Sequence, residues 1–186
     1  MRTRLAALIA LLLSIWLIAP GSTGADTSKA TFDFHVADQF LHDAAGSPLG
    51  AVAMADNGDT ITVSGAGQFD AAAKTASGSG TFVHHAVATD TDITGTWTAT
   101  GLVSYQSYGC GSDDLPASFC GGLAKINIVG TPDFDPSLHI RSVLWINCLI
   151  GDKVPASESE GVRLLARDLI NFNQTVESGF TLFIQH

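Results

Sequence analysis

An all-β fold is what the sequence predicts: an antiparallel up-and-down β-barrel of about eight strands, with a β-sandwich as the alternative. Three observations predict it. Apolar residues recur at every second position over much of the chain, which is the period of a half-buried strand. Closely spaced clusters of Gly, Asp and Asn separate these runs, as turns separate the strands of a meander. Glycines also recur inside the runs, where they permit the close approach and curling that closure of a sheet needs.

Length and charge narrow the function classes. The chain has 186 residues, enough for one domain. It is 46% hydrophobic and 15% charged, too apolar for a disordered acidic chain. Asp and Glu number 18 against 9 Lys and Arg, a net charge of −9. A nucleic-acid binder needs a basic face to neutralise phosphates, so no nucleic-acid partner is expected.

Residues 1–25 read as a secretory signal peptide. Arg2 and Arg4 are followed by the uncharged apolar run Leu5–Ile18, by Pro20-Gly21, and by small residues up to Ala25. The run is short for a bilayer span. Neither a Cys at the cleavage site nor a twin-Arg pair is present. Residues 26–186 are therefore expected to form a single β-barrel domain, secreted or extracytoplasmic, with no integral membrane span after cleavage.

The strands follow in order. Phe32, Phe34 and Val36 alternate, and His35 and His42 beside them read as surface residues. Asp56-Asn57-Gly58-Asp59 is a hairpin turn, since Asn-Gly tolerates positive φ. Ile61, Val63, Gly65, Gly67 and Phe69 then share one face. In the run Thr75–Val87, Phe82 and His84 share a face and His85 takes the other. Ser64-Gly-x-Gly-x-Phe69 is echoed by Ser77-Gly-x-Gly-x-Phe82, as if successive strands each need glycine. Ile93, Gly95, Trp97, Ala99, Val103 and Tyr105 are placed on one face of the next strand, opposite a row of threonines.

Cys110 and Cys120 bracket a Gly/Ser/Asp/Pro loop, and export permits a disulfide across its neck. Cys148, with apolar neighbours, reads as a buried thiol. Leu123–Val129 and Leu138–Ile150 are two more strands. In the second, Leu138, Ile140, Leu144, Ile146, Cys148 and Ile150 form an apolar face expected to look inward. His139, Arg141, Val143, Trp145, Asn147 and Leu149 take the other face, either an outer surface or a cavity lining. Over 157–172, Ser157-x-x-Glu160 resembles a helix capping box. Alternation of Val162, Leu164 and Ala166 favours a strand instead, and both readings stay open. Phe180, Leu182 and Ile184 alternate in the last strand.

Catalytic signatures are scarce. The sequence holds no phosphate-binding Gly-x-x-x-x-Gly-Lys, no Gly-x-Ser-x-Gly elbow, no His-Glu-x-x-His and no Cys-x-x-Cys. Asp90-Thr-Asp92-Ile-Thr-Gly95 starts like a calcium loop, but its twelfth position is Gly101, which carries no carboxylate. A solvated turn is expected there, with no metal and no cofactor. The candidate ligand-binding residues are His84, Phe82, Trp97 and Tyr105. If Phe82 faces the interior, His84 does too and needs a partner there. Trp97 and Tyr105 lie on the alternating face of the following strand, and a phenol at a barrel mouth is suited to orient a carbonyl or hydroxyl. No catalytic residue is assigned.

Gly80-Thr81-Phe82-x-His84, Gly95-Thr96-Trp97-Thr98-Ala99-Thr100, Ser107-Tyr108-Gly109, Leu115-Pro116, Gly121-Gly122, Glu160-Gly161 and Asn171-Phe172 together resemble a group of uncharacterised exported bacterial β-barrel proteins. The likeness covers about the C-terminal two thirds. More remotely, the Gly-x-Gly-Thr-Phe meander is similar to the allene oxide cyclase and dirigent-like barrels. That second resemblance implies a closed eight-stranded barrel with an apolar interior, and no cyclase catalytic residue maps onto this chain.

The expected function is that of an exported, non-enzymatic barrel protein that binds a small, largely apolar ligand or acts at the cell surface. The alternatives are an isomerase- or cyclase-type barrel enzyme and a structural or adhesive β-sandwich. The oligomeric state is left open.

Overall fold

The computed structural model describes residues 30–112, 114–176 and 178–186, so the expected signal peptide lies outside the described residues. The chain runs β1 (Thr31–Val36), α1 (Gln39–Ala45), β2 (Ala51–Met54), β3 (Thr60–Asp70), β4 (Thr75–Ala86), β5 (Thr91–Ser112), β6 (Leu115–Pro132), β7 (Ile140–Cys148), β8 (Gly161–Ala166), β9 (Ile170–Phe172), β10 (Gln174–Val176) and β11 (Thr181–Gln185). Among the described residues the fold is all-β, with eleven strands in one sheet. Every strand pair is antiparallel.

Six strands close a hydrogen-bonded ring, in the order β1–β3–β4–β5–β6–β11 and back to β1. Six close it, rather than about eight, because β5 and β6 are too long to serve one circuit. They run 22 and 18 residues. The first half of β6 pairs with β11, and the second half pairs with β7. β7, β8 and β9 continue the sheet from there, and β2 and β10 extend it from β3. β8 packs against β2 and β10, and Thr175 Oγ1 donates to Val162 O at 3.3 Å. A second circuit thus forms beside the first, closed by packing rather than by a ladder.

The glycine echo belongs to two neighbouring strands. Gly65 pairs with Gly80 and Gly67 with Gly78, so the four form one bare patch on β3 and β4. The Phe34 and Trp97 rings, with centroids 6.4 Å apart, lie over it. A Cβ at Gly65 would fall 2.5 Å from the Trp97 ring, and one at Gly67 2.7 Å from Phe34.

β5 departs from simple alternation. Its pairing with β6 slips between Ala99 and Gly101 and again between Leu102 and Ser104. Thr100 and Val103 are the extra residues of these bulges. Leu102 is consequently buried, while Val103, expected inside, is 46% exposed.

The hairpin turn at Asp56–Asp59 joins β2 to β3, with Gly58 at φ 88°. Cys110 and Cys120 are bonded, and Cys148 is free and buried. Residues 161–166 and 170–172 are strands. Two further features depart from expectation. A short helix, α1, is capped by Asp38, whose side chain accepts from Leu41 N, and ends at Gly46 in the left-handed region. His35 is half-buried rather than on the surface, because its Nδ1 meets Asp38 Oδ2 at 2.7 Å and its ring stacks on Phe40. His42 is exposed, as expected.

Candidate functional site

A cavity of about 330 Å³ occupies the second circuit. β3 and β4 form one wall through Ile61, Val63, Phe82 and His84. β5 and β6 supply Ile93, Trp97 and Ile128, β7 supplies Ile140 and Ser142, and β8 and β9 complete it with Leu164 and Phe172. Each inward side chain follows from strand parity. Ile61 and Val63 alternate inward, as do Phe82 with His84, and Ile140 with Ser142.

Glycine makes room for the Phe82 ring. Gly95 stands beside the Phe82 ring, and a Cβ there would also lie 2.5 Å from Thr131 O. The mouth is apolar: Phe134 and Leu169, both lining residues, are 69% and 68% exposed.

Three lining side chains carry polar atoms. The Trp97 indole N–H is used, since it donates to Ser64 O at 3.2 Å. His84 Nε2 meets Asp59 Oδ2 at 3.3 Å. Asp59 is held from the turn before β3, and its other carboxylate oxygen accepts from Val87 N at 3.0 Å. The Val87 N–H, helped by His84, holds the Asp59 carboxyl below its ordinary range. With that carboxylate accepting, His84 Nε2 is the donor of the pair. The His84 ring stands edge-on to Phe172 with centroids 5.4 Å apart, which joins β4 to β9 across the cavity. The third group is Ser142, only 5% exposed. Its hydroxyl makes no hydrogen bond among the described residues and keeps accessible surface on the cavity side; the buried side-chain atom left without a partner there is Asn147 Oδ1, outside the cavity.

Three of the four expected ligand residues, Phe82, His84 and Trp97, meet in this cavity. Tyr105 does not. It is inward-facing, but β5 carries it into the six-stranded ring, where Phe32, Phe69 and Phe183 surround it at 4.8, 4.9 and 5.5 Å. Its hydroxyl donates to Gly121 O at 3.2 Å, and burial pushes the phenol pKa up. Tyr105 is a core residue of a filled interior.

Ser142 escaped the sequence reading, though it has the parity of Ile140 and Leu144 and is the one polar residue in that row. On the opposite parity Arg141 is exposed, and Trp145 lies under Lys125 at 3.8 Å. Asn147 is buried and donates to Glu158 Oε2 and Ser159 O at 3.0 and 2.7 Å. That face lines no part of the main cavity. Burial pushes the Cys148 thiol up to about 12, so it is no nucleophile. Among the described residues no three His, Cys, Asp or Glu cluster to hold a metal, and no helix is long and apolar enough to cross a membrane.

Searches of family models, curated proteins and solved structures found no match to this chain.

Proposed function

We propose that this is an exported, non-enzymatic protein that holds a small, largely apolar ligand. The observation that carries the reading is the cavity of about 330 Å³ beside a filled aromatic core. Ligand pockets run from ~300 to 1,000 Å³ and are lined by apolar side chains with a few polar ones. A scaffold or adhesin has no need of a hollow, and an open apolar cavity forfeits packing contacts. Export is read from the signal-like residues 1–25.

The test is displacement of a neutral fluorescent dye, N-phenyl-1-naphthylamine, from the purified domain. Saturable binding with one site per chain, lost in Phe82→Ala and Leu164→Trp variants that keep the fold, supports the reading. No saturable binding would sink it.

A second reading, an isomerase- or cyclase-type enzyme, is favoured by one observation: His84 is backed by Asp59 at an apolar cavity. A carboxylate behind imidazole is an arrangement that supports proton transfer. Turnover of a bound ligand, abolished by His84→Gln with binding retained, would select it.

A further inference from the structure

The cavity's polar groups also define the chemistry of what it holds. We infer that the ligand is a neutral, single-chain or single-ring molecule with one hydroxyl or carbonyl group, anchored on Ser142 with His84 as a second contact. This rests on the proposal that the cavity binds a ligand at all.

Charge excludes the ionised classes. Among the described residues no Lys or Arg lines the cavity. An anion buried there would lack a partner, and an unpaired buried charge is costly. At His84 a carboxylate or phosphate would also meet the Asp59 carboxylate just behind the ring, 3.3 Å from Nε2. A cation fares no better, because among the described residues the lining holds no carboxylate and Asp59 is already engaged by Val87 N and His84.

Hydrogen bonding then favours a ligand with one polar group. Ser142 is 5% exposed, faces the cavity and has no partner among the described residues. A hydroxyl both donates and accepts, so it serves an alcohol, an aldehyde or a ketone. Every other lining group is apolar or, like the Trp97 N–H, already used. Size favours a single chain or ring inside, since about 330 Å³ is at the small end of ligand pockets.

The test compares 1-decanol, 2-decanone, decanoate and decane as competitors of N-phenyl-1-naphthylamine at pH 8, where decanoate is ionised. Decanol is expected to bind at least tenfold more tightly than decanoate. Ser142→Ala is expected to weaken decanol and decanone three- to tenfold, the worth of about one hydrogen bond, and to leave decane unchanged. Decanoate binding as well as decanol would overturn the neutral-ligand inference. Equal losses for decane and decanol in Ser142→Ala would overturn the anchor. In both cases the cavity would still bind, so the proposed function would survive. If neither the dye nor any competitor binds, the proposed function fails and this inference falls with it.

Discussion

Ser142 and Gly95 show how single residues set the cavity. The Ser142 hydroxyl has no protein partner among the described residues but is open to the cavity, so water serves it in the empty protein and its removal costs the fold little. Ser142→Ala is therefore expected to change the unfolding free energy by less than about 0.5 kcal/mol while it weakens polar ligands. Urea denaturation measures the first effect, and a fall of about 1 kcal/mol or more would mean that the hydroxyl is bonded in the empty protein. Gly95 works differently. A Cβ there meets both the Phe82 ring and a β6 carbonyl on the neighbouring strand. Overpacking of this kind costs ~1–3 kcal/mol. Gly95→Ala is expected to lose at least that much, since the carbonyl cannot move without breaking the ladder, and the midpoint of the same urea curve reports it. Such residues differ in how far the sequence exposes them. Phe82 and His84 were legible because strict alternation put both on one face with an apolar partner. Ser142 had the same parity as its apolar neighbours, but a serine in an apolar row carries no signal of whether it meets a core or a hollow.

Strands are tied together here by buried polar clasps as well as by ladders. Glu160, just before β8, accepts from Leu149 N at 2.7 Å after β7, and from Thr181 N and Oγ1 at 2.9 and 2.7 Å at the start of β11. Burial nevertheless pushes its carboxyl above the ordinary 4.5, outweighing those hydrogen bonds. The sign follows from linkage. A carboxyl whose pKa is higher folded than unfolded keeps its proton longest in the fold. Its contribution to stability is full below the unfolded value of 4.5 and is lost as pH rises through the folded value. Glu160→Gln is expected to abolish this slope. It should also cost ~1–3 kcal/mol at neutral pH, because an amide N–H₂ replaces one acceptor facing Leu149 N or Thr181. Urea curves at several pH values check both. The same scale shows where pattern reading stops. The caps of α1, Asp38 and Gly46, are residue types equally at home in turns, and they drew no helix reading. An α1 of seven residues with only Leu41 buried has too little apolar periodicity to stand out. Bulges at Thr100 and Val103 are likewise invisible to a period-two count, because each resets the phase without a change in residue type. Only the partner strand reveals them.

Across the whole molecule, length separates two interiors on one sheet. β5 and β6 span both, so one half is filled by Phe32, Phe69, Tyr105 and Phe183 and the other is hollow. The antiparallel all-β class was legible because turns and alternation are local signals. The division was not, since it depends on which half of β6 meets β11 and which meets β7, and pairing of that kind is set by packing over long separations. The division predicts that the two halves respond independently to substitution. Ala166 lines the cavity from β8 and is 7% exposed. Ala166→Leu fills space where no atoms stand, and is expected to weaken N-phenyl-1-naphthylamine binding at least tenfold with the thermal midpoint held or raised. Tyr105→Phe removes one hydrogen bond, to Gly121 O, in the filled half. It is expected to cost about 1 kcal/mol and to leave dye binding unchanged. Calorimetry and dye titration of the two variants read both quantities. If Tyr105→Phe abolishes binding, or Ala166→Leu unfolds the protein with no loss of affinity in the remaining fold, then the ligand does not reside in the half lined by His84 and Ser142.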